Sequence, residues 1–128
     1  MDRALLNCGF EDADLTDATF RGTNLDRGRF VAARLDGADL ARTSLRGADF
    51  TGARARALRL TRANLTDAVF RRADLMYALL DHAEVSGAVF REANLFTTDF
   101  GMTASNGRVD LAGANVKRVK SYPRRGDA

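Results

Sequence analysis

Few residues of this 128-residue chain could perform nucleophilic, acid–base or metal chemistry. His82 is the only histidine and Cys8 is the only cysteine. Nucleophilic catalysis needs a base within hydrogen-bond reach of the nucleophile and a third group that orients the base, and the sequence offers no such set around His82. A single cysteine also excludes an intramolecular disulfide and a cage of cysteines around zinc. We therefore predict no catalytic residue, no cofactor site and no metal site.

Asp and Asn side chains recur at regular spacing and could be read as metal ligands. No calcium-loop or phosphate-loop motif accompanies them. Their spacing follows a five-residue repeat, so we assign these side chains to turns and to the backbone ladder instead. The residues are Asp14, Asn24, Asp39, Asp49, Asn64, Asp74, Asn94 and Asp99.

The repeat is visible in every fifth residue from Leu5 to Phe100. All 20 are apolar, with 11 Leu, 7 Phe, one Val and one Ala. Of the 19 residues that lie two positions before a centre, 13 are Ala and three are Thr. An α-helix would sweep a period of five around its axis, and a flat strand would alternate its faces. A coil with one large inward side chain per five-residue side fits the pattern, with the small residue near an inner corner where Cys8 would also pack.

A second period, of 20 residues, sets the number of sides. Phenylalanine recurs at every twentieth residue from 10 to 90, which predicts four sides per turn and Phe rings stacked along the axis. Stacked turns would lie about 4.8 Å apart, so five turns would form a rod about 24 Å long. The column comprises Phe10, Phe30, Phe50, Phe70 and Phe90.

These five-residue units, with "ADL" at 38–40 and 73–75 and "ANL" at 63–65 and 93–95, resemble the pentapeptide-repeat family, whose consensus is A(D/N)LXX. The resemblance covers residues 3–102 without a gap and a partial turn at 109–118. It implies an all-β fold, a right-handed quadrilateral β-helix of about five to six coils. The resemblance says little about activity, because proteins of one fold serve unrelated functions.

The boundaries follow from where the repeat shifts. We expect the β-helix to occupy residues 1–118, with a one-residue insertion in a surface loop near 101–108, and a basic, flexible tail at 119–128. The only proline is Pro123, which agrees with a hydrogen-bonded ladder through the rest of the chain. At one site Ala55 replaces a central Leu and Leu58 replaces a corner Ala. We interpret this as a volume-conserving exchange, with a local bulge as the alternative.

Charge is distributed unevenly along the rod. Residues 3–22 carry a net charge of −2, residues 43–62 carry +4, and the tail from 115 carries +4, so the rod itself is nearly neutral. The third coil thus forms a basic waist. Acids in the same columns, such as Asp74 and Asp39, are expected to neutralise part of it.

Two groups of exposed residues could bind a partner. The first is the arginine group of the waist region, and the second is a cluster of apolar side chains outside the core. Direct nucleic-acid binding is not expected, since no aromatic residues interleave with the arginines. The candidate partner-binding residues are Arg42, Arg54, Arg56, Arg59, Arg62, Met76 and Phe96, with Tyr77 and Leu79 completing the apolar cluster.

We expect a non-enzymatic protein–protein interaction module or adaptor with no cofactor, whose partner is a protein of unknown identity or a second copy bound through the coil ends. No apolar run is long enough to span a bilayer, so a cytoplasmic protein is expected, or one secreted by a signal-independent route. The resemblance also implies a setting in bacterial secretion. The alternative it implies is inhibition or protection of a type II topoisomerase such as gyrase by DNA mimicry, which needs a strongly negative rod that this sequence lacks.

Overall fold

The protein is a four-sided coil, seen here in a computed structural model that describes residues 5–106 and 108–121. Each coil has four faces of five residues, and we number the faces by the column of inward residues at their centres. Face one contains Leu5, Leu25, Leu45, Leu65 and Val85; face two contains Phe10, Phe30, Phe50, Phe70 and Phe90; face three contains Leu15, Leu35, Ala55, Leu75 and Leu95; face four contains Phe20, Leu40, Leu60, Leu80 and Phe100.

Successive coils are joined by parallel bridges of one residue per face, with no longer strand between the corners. From Gly9↔Arg29 to Glu84↔Ala104 the paired residues lie 20 positions apart. Phe50 N donates to Val69 O at 2.6 Å and Asp49 N donates to Gly28 O at 2.9 Å, so each face is bonded both above and below. The described chain thus forms five stacked coils and most of a sixth, as the sequence predicts.

A tight turn makes each corner. Ala53 N donates to Phe50 O at 2.9 Å, and Gly52 between them has a φ of 67°, as the second central residue of a type II turn does. Among residues 5–106 and 108–121, seventeen non-glycine residues share this left-handed region with six glycines. Because the left-handed region costs an L-residue about 1–2 kcal/mol, the ladder and the core must hold these corners in place.

The lumen is filled by the predicted Phe column. Rings 30 and 50 stack with centroids 4.7 Å apart, and rings 50 and 70 stack at 4.6 Å. Phe50 is fully buried. Ala55 and Leu58 are both fully buried as well, and the ladder passes through Arg54↔Asp74 and Arg59↔Leu79 without a change of register. The exchange is therefore a packing exchange rather than a bulge.

The inserted residue lies where the frame shifts, but the loop is shorter than predicted. Residues 101–104 still belong to the fifth turn of the ladder, since Ala104 pairs with Glu84. From Val89↔Asp110 onward the paired residues lie 21 positions apart, so the extra residue falls between 104 and 110. Asp99↔Lys120 carries the ladder two residues past the boundary predicted at 118; the rest of the predicted tail, 122–128, lies outside the described residues.

Truncation of Phe50 tests the register of the core. We expect Phe50→Ala to lower the free energy of unfolding by about 3–5 kcal/mol, because it removes a ring from the middle of the stack. Phe96→Ala is the matched control, since Phe96 follows a central position and lies half-buried on the surface. Chemical denaturation followed by circular dichroism measures both. Equal losses for the two variants would contradict the register.

Candidate functional site

His82 and Cys8 lie in different coils and cannot act together. His82 occupies a corner between faces four and one, as predicted, with φ 61° and its Nδ1 3.6 Å from Asp81 Oδ2. Cys8 is in the first coil, three coils away, a distance of about 14 Å along the rod. Cys8 is only partly buried, contrary to the expectation of a packed thiol, because the first coil has coil packing on one side only among the described residues.

The recurring Asp and Asn side chains stabilise the corners. Each side chain accepts a hydrogen bond from the backbone N–H two residues later: Asp39 Oδ1 from Ala41 at 3.0 Å, and Asn64 Oδ1 from Thr66 at 3.1 Å. All eight predicted turn residues make this bond. Within residues 5–106 and 108–121, no three His, Cys, Asp or Glu side chains group closely enough to hold a metal ion. No helix long and apolar enough to cross a membrane occurs in the same residues.

The five candidate arginines do not form one patch. Arg42 and Arg62 occupy equivalent left-handed corner positions between faces four and one, one coil apart, with φ 58° and 60°. Arg59 projects from face four in the coil that carries Arg62. Arg54 lies on face three and Arg56 on the corner between faces three and four. The basic waist is therefore divided between two corners of the rod.

Ion pairing separates the same two groups. Arg54 Nε lies 3.1 Å from Asp36 Oδ2, and Arg56 Nε lies 2.7 Å from Asp74 Oδ2. The hydrogen bond that Arg56 donates to Asp74 raises the pKa of Arg56 above its ordinary value. The partner of Arg54 is thus a corner acid rather than the acids of its own column that the sequence suggested.

Arg42, Arg59 and Arg62 make no ion pair with any residue that the structure describes. Asp39, expected to neutralise Arg59 from the coil below, instead lies 3.6 Å from Arg21. All three arginines are exposed. We call these three residues the waist patch.

The residues of the apolar cluster lie at the corner between faces three and four and on the adjoining part of face four. The rings of Tyr77 and Phe96 meet edge to face with centroids 5.9 Å apart. Tyr77 is 52% exposed and Leu79 is 38% exposed, while Met76 and Phe96 are half-buried. The cluster spans coils four and five.

Basic residues lie on the sixth coil directly above this cluster. Lys117 and Arg118 occupy the two corner positions above Phe96 and Thr97, and Lys120 pairs through its backbone with Asp99 on face four. The sequence treated these residues as part of or next to a tail, because the repeat loses its apolar centres there. The ladder residues Asn115 and Lys120 show that this segment is part of the rod.

Two shallow depressions were not predicted. One, of about 210 Å³, lies at the corner between faces one and two. It is lined by Leu6, Asn7, Asp26, Arg27 and Arg46. The other borders the inserted residue and contains the ion pair between Arg91 and Asp110, whose nitrogen and oxygen lie 3.0 Å apart. The frame shift after Phe100 was the one sequence signal for the second depression.

A family model described as the pentapeptide repeat region matches residues 4–80, more than half of the chain. The chain belongs to the pentapeptide-repeat family. Its fold is accordingly the right-handed quadrilateral β-helix of that family, as predicted.

Solved structures agree with this assignment. The pentapeptide-repeat protein Rfr23 from the cyanobacterium Cyanothece 51142 superposes with a TM-score of 0.72 at 18% identity, over 84% of this chain and 90% of that one. QnrB1, a plasmid-mediated fluoroquinolone resistance protein, superposes in a trypsin-treated form with a TM-score of 0.57 at 20% identity, over 91% of this chain and 64% of that one. HetL from Nostoc sp. strain PCC 7120, a protein involved in heterocyst differentiation regulation, shares 29% identity at a TM-score of 0.47, over 91% of this chain and 56% of that one. No curated protein matches the chain.

Acid should destabilise the rod through its surface carboxyl groups. The hydrogen bond from Arg29 lowers the pKa of Glu11, that from Thr16 lowers the pKa of Asp14, and that from Arg72 lowers the pKa of Glu92. The folded chain then binds fewer protons than the unfolded chain, so this stabilisation is complete above the ordinary pKa values, about 4–4.5, and is lost as the pH falls through the lowered values.

We therefore expect the thermal midpoint to fall as the pH is lowered from about 5 to 3. Circular dichroism at constant ionic strength measures the change. Glu92→Gln should reduce the slope of that fall, because it removes the carboxylate that accepts the hydrogen bond from Arg72. A thermal midpoint that rises as the pH is lowered to 3 would contradict the expected effect of the lowered carboxyl pKa values on stability.

Proposed function

We propose that this protein is a non-enzymatic interaction module that binds a protein partner through its sides. The acidic and amide side chains that could have supported chemistry stabilise corners, and the lumen is filled by the Phe stack. The side chains left available for recognition are on the surface. The proposal carries a cytoplasmic setting with it, and an adaptor role in bacterial secretion is the case that we favour.

The waist patch is the observation that carries the proposal. Arg42 and Arg62 lie one coil apart, about 4.8 Å along the rod, and Arg59 lies beside them on face four. Like charges at this spacing repel unless a counter-charge approaches. A partner surface rich in Asp and Glu would relieve that repulsion and steer association. We therefore expect the partner to present an acidic surface.

Charge reversal tests the waist patch. The tagged chain is cross-linked in cells of its source organism, and captured proteins are compared between wild type and the double variant Arg42→Glu/Arg62→Glu. Acidic partners of the wild type should be lost, because the patch would repel them. Arg27→Glu/Arg46→Glu makes the same charge change at exposed positions of another corner and should retain them. Retention by the first double variant, or a turnover that His82→Ala or Cys8→Ala abolishes, would contradict the proposal.

The competing function is DNA mimicry directed at a type II topoisomerase. A mimic must present a continuous negative surface, and here the arginines of the third coil separate the acids of the first coil from those of the fourth and fifth coils. The likeness to QnrB1, at 20% identity, is a likeness of fold. We expect no inhibition of gyrase supercoiling at micromolar protein. Potent inhibition in that assay would favour DNA mimicry over the interaction module.

A further inference from the structure

The corner between faces three and four changes character along the rod in a specific order. Its left-handed position is occupied once per coil, so six residues form one column on the surface. The column starts with an acid, continues with two small residues, then a large and a medium side chain, and ends with a base. The six residues are Asp17, Gly37, Ala57, Tyr77, Thr97 and Arg118.

When a second copy of this column runs in the opposite direction, each residue faces one of complementary size or charge. In an antiparallel pair of columns related by a two-fold axis between coils three and four, coil one lies opposite coil six. Asp17 then meets the partner's Arg118, and Ala57 lies beneath the partner's Tyr77. Each contact occurs twice, because a two-fold interface is isologous.

The adjoining corner position follows the same rule in four of its six coils, with Asp36 of coil two opposite Phe96 of coil five as the exception. The four are Thr16 in coil one, Arg56 in coil three, Met76 in coil four and Lys117 in coil six. In the antiparallel arrangement the aliphatic stem of Arg56 would cover the partner's Met76, since a long basic side chain buries its stem while its charge stays solvated. Lys117 would lie near the partner's Asp17 and add a second base to that acid.

The end charges are available for an intermolecular contact. Asp17, Lys117 and Arg118 are exposed, and none makes an ion pair with a described residue of its own chain. The Asp17 carboxylate lies over Gly37, where an added Cβ would approach its Oδ1 to 2.4 Å, so the absence of a side chain at Gly37 leaves room for the carboxylate. The Tyr77–Phe96 edge contact leaves Tyr77 52% exposed between the two charged ends.

We propose that this corner is a dimer interface, on which a second copy of the chain binds antiparallel about a two-fold axis between coils three and four. An acidic peptide could satisfy only the upper half of the corner, because Asp14, Asp17 and Asp36 would repel it from the lower half. A second copy complements the whole length. Two unfavourable pairs arise, Asp39 opposite Asp99 on face four and Asp36 opposite Phe96 on the corner. Each acid of the lower half has an arginine of its own chain beside it, since Arg21 lies 3.6 Å from Asp39 and Arg54 lies 3.1 Å from Asp36.

This dimer goes beyond the proposed function and is independent of it. Arg59 shares the face-four column of Asp39 and Asp99 and would lie opposite a Leu79 of the second copy. Arg42 and Arg62 lie on the next corner, so they stay exposed when the corner between faces three and four is covered. Loss of the dimer would leave the acidic partner of the waist patch untouched, and loss of that partner would leave the dimer untouched.

Reciprocal charge reversal tests the interface in the full chain. Sedimentation equilibrium across a concentration range should show a monomer–dimer equilibrium for the wild type. Asp17→Arg and Arg118→Asp should each weaken dimerisation by about tenfold or more, because each places like charges together twice. The combined variant Asp17→Arg/Arg118→Asp restores opposite charges and should recover the wild-type dissociation constant within about threefold.

Asp67→Arg is the matched control. Asp67 is an exposed left-handed corner residue whose carboxylate lies over Gly87 as that of Asp17 lies over Gly37, but it lies on another corner. It should leave the dimer intact. Tyr77→Ser should weaken the dimer with an unchanged circular dichroism spectrum.

A wild-type monomer at all concentrations would overturn the proposal. So would a dimer that Asp17→Arg leaves unchanged, or one that the double variant fails to recover. A dimer that Asp17→Arg leaves unchanged would indicate association through another surface, such as the coil ends.

Discussion

The backbone ladder between coils is the interaction on which the rest of this structure depends. A residue bonds to the coil above it and to the coil below it, so the chain must turn a corner every five residues and return to the same face after 20. That geometry admits one large side chain per face and one small one beside each corner. It also holds residues such as Arg42 and Tyr77 in a left-handed conformation that they would otherwise avoid. The composition of the core and the left-handed conformation of the corner residues therefore both follow from the repeated backbone hydrogen bonds between coils.

Because the constraint is local and repeated, the sequence reveals the fold and most of the core. A Phe at every twentieth residue can only be explained by four-sided stacking, and the rings do stack at 4.6–5.1 Å. The roles of Asp39 and Asn64 followed from the same period. Predictions weakened in the first coil, which has a neighbouring coil on one side only among the described residues. Cys8 occupies a small-residue position of the repeat but is only partly buried, because its position in the repeat does not determine how much packing surrounds it.

The candidate surface was less predictable for a different reason. The column of each residue follows from its number, and so the sequence correctly placed Arg34 under Arg54 and Met76 under Phe96. A long side chain is not confined to its column, however. Arg54 reaches the corner acid Asp36, and the Asp39 carboxylate pairs with Arg21 rather than with Arg59, its backbone neighbour in the column. Ion pairing therefore divides the arginines into engaged and available groups in a way that the columns alone do not show. The frame shift was visible from Leu111, but the extent of the sixth coil was not, since its centres Ser105 and Ser121 are polar.

In a rod of this kind, the residues that stabilise the fold are different from the residues that can bind a partner. The inward positions are fixed by packing, whereas the corner positions accept residues as different as Gly, Asp, Arg and Tyr at nearly the same φ. Each corner can therefore carry a pattern along the axis without disturbing the core, with one residue for every coil. A pattern that is complementary to its own reverse favours a closed pair, while a patch of one charge favours an unlike partner. Both kinds of pattern occur on this chain, on different corners, so the two interactions that we propose do not compete for the same corner residues.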